Sequence, residues 1–233
     1  MEFNRAAAAE LQATLLNSVS HNLRAPLASI TGVLDSLIED CELLDEATRL
    51  ELLQSAREEA ARLNGLIGNL LDITRLDGGA IHLRVEPCEV SDAVAAALMQ
   101  LGKRREAGSV KVDIPRDLPS IPMDFALITQ TLVNLIDNAL KYSEPGSPVE
   151  VRARREDTEV RIEVADRGRG IAAQDLPRVF ERFYSSAKGR GIGLGLSIAK
   201  GFVEAHGGSI GAENRDGGGA LIAFTLPLVA PVR

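Results

Sequence analysis

Four stretches of this chain carry residue types that a packed core does not ask for. In Ser20-His21-Asn22-Leu23-Arg24-Ala25-Pro26-Leu27, a histidine sits among apolar residues at Leu16, Val19, Leu23, Pro26, Ile30, Val33 and Leu37. Alternating steps of three and four put those residues on one seam of a long helix. With Leu16 at heptad position a, His21 falls at f, opposite the seam, where a second macromolecule or domain can reach its imidazole. Pro26 lacks an N–H and frees the carbonyl of Asn22 four residues back, so a bend is expected just after the histidine. A lone exposed histidine is most often a solvated surface residue; the other three stretches weigh against that reading here.

The second stretch is Asn134-Leu135-Ile136-Asp137-Asn138-Ala139-Leu140-Lys141-Tyr142. Asn134 and Asn138 are one helical turn apart, so both amides project from one face, with Lys141 a turn further on. Amide oxygens suit a hard cation such as Mg²⁺, and a lysine suits phosphate charge. In the third, Asp166-Arg167-Gly168-Arg169-Gly170, a carboxylate ends an apolar strand where it can accept from an exocyclic amine. The flanking glycines let backbone approach a flat base. In the fourth, Gly189-Arg190-Gly191-Ile192-Gly193-Leu194-Gly195-Leu196-Ser197, glycines lead into a helix whose free N–H groups face anionic oxygens. A dinucleotide fingerprint is the competing explanation, but that motif opens a parallel βαβ unit near its first strand. Here the loop comes late, after a hairpin. Phe180, Phe183 and Tyr184 precede it and could anchor a lid over a bound nucleotide.

Positioning these groups takes two kinds of architecture. Helices are expected over about 4–40 and 46–76, joined by an acidic turn. In the second, Leu53, Ala56, Ala60, Leu63, Ile67, Leu70 and Thr74 repeat the three-four spacing. Two such helices form an antiparallel hairpin. A single pair leaves half of each seam uncovered, and two copies forming a four-helix bundle would bury it, so a homodimer through residues 1–77 is expected. Asp77-Gly78-Gly79 stops the helix and marks the boundary with a second domain, 78–233. There the pattern becomes mixed: a strand at Ile81, Leu83 and Val85, a helix over 90–105, a strand over 110–114, a helix over 125–142, a hairpin over 149–164, a helix over 193–206 and a hairpin over 210–226. The expected fold is therefore an antiparallel helical hairpin followed by an α/β two-layer sandwich. His206 reads as a capping residue at a helix end, His82 as an exposed strand residue, and Glu156, Asp157 and Glu159 as a solvated hairpin tip.

Composition removes several alternatives. A net charge of −7, with Lys103-Arg104-Arg105 the one basic cluster, argues against nucleic acid as a partner. No Trp and only two Tyr leave little for base stacking. Cys41 and Cys88 have no metal-like spacing and read as reduced thiols. No apolar run reaches the length of a membrane span, so this part of the chain is expected in the cytoplasm.

Taken together, the His21 box, the asparagine helix 134–142, Asp166 to Gly170, Phe180 to Tyr184 and the glycine loop 189–195 resemble the sensor histidine kinases in order and spacing. The context of His21, the short lid and His206-Gly207-Gly208-Ser209-Ile210 look most like the KdpD group of potassium-responsive kinases. The resemblance implies a dimerising hairpin followed by an ATP-binding sandwich of the gyrase and Hsp90 kind, with ATP and Mg²⁺ as cofactors. It implies that His21 takes the γ-phosphoryl group and hands it to an aspartate of a response-regulator receiver domain. Asn138 with Asn134 would hold Mg²⁺, and Lys141 and Tyr142 would line the phosphate and sugar side. Asp166 would read the adenine amine, with Gly168 and Gly170 shaping that wall. Gly191, Gly193 and Gly195 would hinge and cradle the triphosphate, with Leu196 beside them. The parent protein would be an inner-membrane sensor, attached through segments outside this chain.

Two positions depart from the family pattern. Asn22 stands where an acidic residue usually follows the histidine; an amide can fix the imidazole tautomer but cannot take up its proton. Slowed autophosphorylation is expected, and a nucleotide-binding signalling scaffold with weak or no kinase activity is the alternative. A gyrase-type or chaperone-type ATPase is disfavoured, since it would lack the hairpin with its outward histidine. Ala25 stands where Thr or Asn usually helps position water, so weak phosphatase activity is expected.

Overall fold

The computed structural model describes residues 23–39, 43–78, 81–102, 109–184 and 193–229. His21, Asn22, Cys41, Lys103 to Arg105 and Gly191 lie outside them. The chain divides into two compact units, Met1–Thr74 and Arg75–Arg233.

The first unit holds α1 over 23–39 and most of α2, Glu46–Asp77. The α1 seam follows the expected heptad: Pro26 is buried and Leu23, Ile30, Val33 and Leu37 are half-buried. In α2 the expected series is corrected in part. Ala56, Ala60, Leu63 and Leu70 lie on the less exposed side as expected, but Leu53, Ile67 and Thr74 face solvent and Leu52, Leu66 and Ile73 take their places. Leucines are dense enough here that two overlapping three-four series can be drawn, and the amino-acid types do not choose between them. Each helix thus keeps a second, uncovered apolar row: Leu27, Leu34 and Ile38 on α1, and Leu50, Leu53, Ile67 and Leu71 on α2. Asp45 caps α2 by accepting from the Thr48 N–H at 2.7 Å.

The second unit is a helix layer on a mixed sheet. Its elements are β1 (Glu86–Cys88), α3 (Val90–Leu101), β2 (Val110–Asp113), β3 (Ile121–Met123), α4 (Phe125–Tyr142), β4 (Val149–Glu156), β5 (Glu159–Ala165), α5 (Gly195–Ala205), β6 (Ile210–Asn214) and β7 (Ala220–Pro227). Five strands pair in the order β2-β4-β5-β7-β6, parallel between β2 and β4 and antiparallel elsewhere. Alternation sorts the faces. Val149, Val151 and Ala153 of β4, Val160, Ile162 and Val164 of β5, and Ile222, Phe224 and Leu226 of β7 join the core. The alternate residues form a charge ladder on the other face, Arg152 with Glu150, Arg154 with Glu156 and Glu163, and Arg161 with Glu163. Across the core, α4 presents Ile128, Leu132, Leu135 and Ile136, each almost fully buried. Burying each such side chain contributes at most about 2–3 kcal/mol.

Two local expectations are corrected. Residues 81–85 form no strand: the Arg84 N–H donates to Asp124 Oδ2 at 2.9 Å, so this backbone bonds to a side chain rather than to a ladder. The short ribbon follows instead, β1 against β3, with Pro87 opposite Pro122. Proline obscured both strands, since it is tolerated only where no ladder N–H is required. Helix α3 ends at Leu101, where Gly102 adopts φ 48 and returns its N–H to the Met99 carbonyl; residues 103–105 of the expected helix lie outside the described residues.

His206 does more than cap a helix. Fully buried, it accepts the Asp124 N–H on Nε2 at 2.9 Å, and its Nδ1 lies 2.7 Å from the Phe202 carbonyl. This pattern requires the neutral tautomer with the proton on Nδ1. Burial, the dominant cause, lowers its pKa below the usual value; the bond to Phe202 and the Asp124 charge oppose it. A lowered folded-state pKa means that the unfolded chain binds the proton first as pH falls. The stability His206 contributes is therefore intact above about pH 6.5 and is lost as pH falls below that value towards the folded pKa. In urea unfolding, the parent should lose stability between pH 7.5 and 5.5 more steeply than His206→Gln. The excess is bounded by about 1.4 kcal/mol per pH unit, and parallel curves would show that His206 carries no such linkage.

Candidate functional site

Helix α4 positions the asparagine stretch. The Asp124 N-cap accepts from the Ala126 and Leu127 N–H groups, both at 3.2 Å, so with His206 and Arg84 around it the start of the helix is fixed. The apolar face then dictates which residues cannot be buried: Asn134, Asn138 and Tyr142 are half-buried, and Lys141 is exposed. Asn134 donates to the Gly195 carbonyl at 3.2 Å, joining α4 to the first turn of α5, and its Oδ1 receives only a long contact from Gln130 at 3.5 Å. The Asn138 amide has no hydrogen bond to any described residue. Both amide oxygens are therefore available to a hard cation.

The end of α4 meets the loop after β5. A Cβ on Gly168 would lie 2.0 Å from the Tyr142 carbonyl oxygen, so only glycine permits this approach. Lys141 Nζ and the Arg169 guanidinium lie 5.5 and 5.7 Å from the Tyr142 ring centroid, within cation–π range. Asp166 is buried, and its Oδ1 accepts from the Gly168 N–H at 2.8 Å and the Ala220 N–H at 3.2 Å. Its Oδ2 accepts nothing from the described residues. Gly170 takes φ 72 beside Asn214, whose amide makes a two-point clasp on the Ile171 backbone at 2.7 Å each way.

The two flanks of the glycine loop come together. The Phe183 N–H donates to the Gly193 carbonyl at 2.9 Å, and a Cβ on Gly193, which has φ 73, would fall 2.3 Å from the Tyr184 carbonyl. Tyr184 donates its hydroxyl to Asp175 at 2.6 Å, which raises the phenol pKa, and Arg178 lies over its ring at 4.4 Å. Phe180 and Leu196 pack against the core. Arg182 makes a two-point ion pair with Asp77, holding that carboxyl below its usual range. Asn134 and Gly195 thus form one cluster, Lys141, Tyr142, Asp166, Gly168 and Gly170 a second on the same helix end, and Gly193 closes the loop flanks.

Sequence reasoning missed Asn214, Arg215 and Glu150. The Arg215 guanidinium donates to the Asp166 carbonyl at 3.1 Å and to both Glu150 oxygens at 3.3 and 3.4 Å. Burial pushes the Glu150 carboxyl up, but Arg215 and then Arg152 and Arg167 outweigh it and leave it below the ordinary value. The partners lie 49 and 65 residues from Arg215, so no local spacing marks them.

Residues 11–79 match the His Kinase A (phospho-acceptor) domain, and residues 123–230 match the Histidine kinase-, DNA gyrase B-, and HSP90-like ATPase family. A solved mycobacterial sensor histidine kinase, MprB, is 30% identical with a TM-score of 0.56; the match covers 63% of this chain and 99% of that one. The chain belongs to the sensor histidine kinases. This kinase core is also 39% identical to the sensor protein KdpD of Clostridium acetobutylicum over 93% of its length, but spans only 25% of that relative. The structure of full-length ShkA in complex with AMPPNP is 27% identical, with a TM-score of 0.68, over 95% of this chain and 47% of that one. The ATPase-family match makes the kinase core a user of ATP. No helix among its described residues is long and apolar enough to cross a membrane.

The two glycines differ in what they tolerate. Gly168→Ala forces a methyl into the Tyr142 carbonyl and should cost about 1–3 kcal/mol and lower ADP affinity. Gly195→Ala meets nothing closer than the Asn134 side chain at 3.7 Å and should leave the melting temperature within a degree or two. Thermal unfolding of both variants with and without ADP reads the contrast, and equal melting temperatures would refute it.

Proposed function

We propose that this kinase core phosphorylates itself on His21 from ATP and passes the phosphoryl group to an aspartate of a response-regulator receiver domain. The observation that carries the proposal is the convergence at the end of α4. The Asn138 amide, without a hydrogen-bond partner among the described residues, shares that helix end with the Tyr142 backbone and ring, and the close approach of Gly168 to the Tyr142 carbonyl brings in the loop that carries the Asp166 carboxylate. Residues 1–77 would form the dimerising and phospho-accepting hairpin and 78–233 the ATP-binding domain. The uncovered apolar rows of α1 and α2 fit a homodimeric four-helix bundle, which needs two apolar rows on each helix.

Within the nucleotide domain, Asp166 would accept the adenine amine on the oxygen its backbone donors leave open, with Gly168 and Gly170 holding that wall. Tyr142 and Lys141 would line the sugar and phosphates. The oxygens of Asn138 and Asn134 fit Mg²⁺, which prefers oxygen donors and takes few protein ligands when phosphates supply the rest. When bound, the ion would neutralise phosphate charge. Gly191, Gly193, Gly195 and Leu196 would flank the triphosphate. AMPPNP bound by the similar ShkA supports a triphosphate in this fold.

Phosphoryl transfer depends on in-line positioning and charge neutralisation more than on covalent help. The lone pair of His21 Nε2 would attack the γ-phosphorus as the bond to the bridging oxygen breaks and ADP leaves. Asn22 can accept the Nδ1–H and so fix the attacking tautomer, but it cannot receive the proton that the imidazole must then lose. Asn22 is also the observation that favours the second reading, a nucleotide-binding scaffold with little or no kinase activity. The parent protein is proposed to be an inner-membrane sensor that presents this core to the cytoplasm.

Incubation with γ-labelled ATP and Mg²⁺ should give an acid-labile, base-stable label that His21→Ala abolishes. Asn22→Asp should label faster, on the order of tenfold. No label in a parent that binds ATP would leave the scaffold, and a rate unchanged in Asn22→Asp would exclude the missing carboxylate as the brake. The phosphorylated regulator should lose its label slowly in the presence of the parent and faster with Ala25→Thr.

A further inference from the structure

We propose that Arg215, held by Glu150, is a positioning residue that sets the Asp166 carboxylate and thereby the discrimination of adenine from 6-oxo purines. The inference rests on the reading of Asp166 given above. Three of the four hydrogen bonds that orient Asp166 come from the β6–β7 turn and the β7 residue that ends it. Its N–H donates to the Ala220 carbonyl at 2.9 Å, its Oδ1 accepts from the Ala220 N–H, and its carbonyl accepts from Arg215. The Ala220 pairing thus counts twice, and the Arg215 bond belongs to the same turn; only the Gly168 N–H lies outside it.

That turn has little stiffness of its own. Gly217, Gly218 and Gly219 run consecutively with φ of 81, 98 and 96, a stretch with the greatest backbone freedom a chain can have. A Cβ on Gly219 would fall 2.1 Å from the Asp166 carbonyl oxygen, so the turn packs directly on the residue it orients. What fixes it is Arg215. Its backbone N–H closes the turn on the Gly219 carbonyl at 3.0 Å, and its guanidinium spans the Asp166 carbonyl and the Glu150 carboxylate. The Arg215 and Glu150 side chains are only 14% and 16% exposed, so the pair is weakly screened, and Glu150 is itself held by β4 and Arg152. A planar guanidinium can bridge a carbonyl and a carboxylate in one orientation, which a lysine cannot copy fully.

Selectivity follows from that geometry. A carboxylate oxygen in a fixed place accepts from a 6-amino group and opposes a 6-oxo group acceptor to acceptor, and a site built on such a bond rejects the analogue that lacks it. A carboxylate free to shift would relax the discrimination before it abolished binding.

Calorimetry with MgADP and MgIDP on the whole chain tests this. The parent should bind ADP well over tenfold more tightly than IDP. Arg215→Met should cut that ratio by about tenfold, through weaker ADP binding with IDP affinity nearly unchanged, Arg215→Lys should recover part of it, and Glu150→Gln should shift it the same way by less. An unchanged ratio, or an equal loss for both nucleotides, would make Arg215 a merely structural residue and overturn the proposal. Where circular dichroism shows Arg215→Met unfolded, Glu150→Gln decides by the same criterion. A parent that binds ADP and IDP equally would overturn the reading of Asp166 itself.

Discussion

The bond from the Asp124 N–H to His206 Nε2 sets where helix α4 begins, and much of the nucleotide domain depends on that. Asp124 then spends its carboxylate on Ala126, Leu127 and Arg84, so one residue joins the start of α4 to the end of α5 and to the segment leading into β1. With its start fixed and Ile128, Leu132, Leu135 and Ile136 committed to the sheet, the rotation of α4 has no freedom left. Asn134, Asn138 and Tyr142 occupy the flank of that face by geometry. A polar site is thus placed by an apolar constraint: moving the asparagines would mean exposing isoleucine and leucine, at a cost well above that of any single hydrogen bond.

Several residues that a functional reading would reserve for nucleotide carry structural duties as well. Gly168 is required by the Tyr142 carbonyl, Gly170 and Gly193 by positive φ, and Gly219 by the Asp166 carbonyl. These demands and those of a phosphate or base are compatible, because close backbone approach serves both. It follows that a glycine substitution alone does not separate ligand contact from folding. Asn138 is the cleaner probe, since its side chain serves no described residue.

The sequence made legible whatever is decided locally. The apolar period of helix α4 marks both of its ends, and Glu156 to Glu159 mark the β4–β5 turn, where Asp157 has φ 42. What it hid depends on distant partners. The alternation at Ile81, Leu83 and Val85 suggested a strand, but a carboxylate 40 residues away claims the Arg84 N–H. On α2, Leu53, Ile67 and Thr74 fit the three-four series as well as Leu52, Leu66 and Ile73 do, and residue types alone do not choose between them. His206 reads as no more than a helix cap because nothing nearby in sequence shows that it will be buried against Asp124. Arg215 lies in a turn rich in Asp and Gly, where an arginine is ordinarily solvent-facing, and Glu150 alternates with Val149 and Val151 as an outward strand residue does.

The two sides of the site are held with unequal strength. On the Asp166 side, hydrogen bonds are buried, redundant and closed by a shielded ion pair, so each resists water and supports the next. On the loop-flank side the ties are more exposed. Arg182 and Asp77 are 43% and 55% exposed, which limits their pair to about 1 kcal/mol or less despite its two-point geometry. Arg178 stacks on Tyr184 at the surface, and the Phe183 to Gly193 bond is a single backbone link. Such an asymmetry suits the proposed chemistry. Base recognition at Asp166 would gain from a carboxylate that does not move, because selectivity is lost when the acceptor shifts. The proposed transfer of a γ-phosphoryl group to His21 would require that the phosphate side admit its acceptor and release ADP, and weak, screened contacts there can be made and broken within a catalytic cycle.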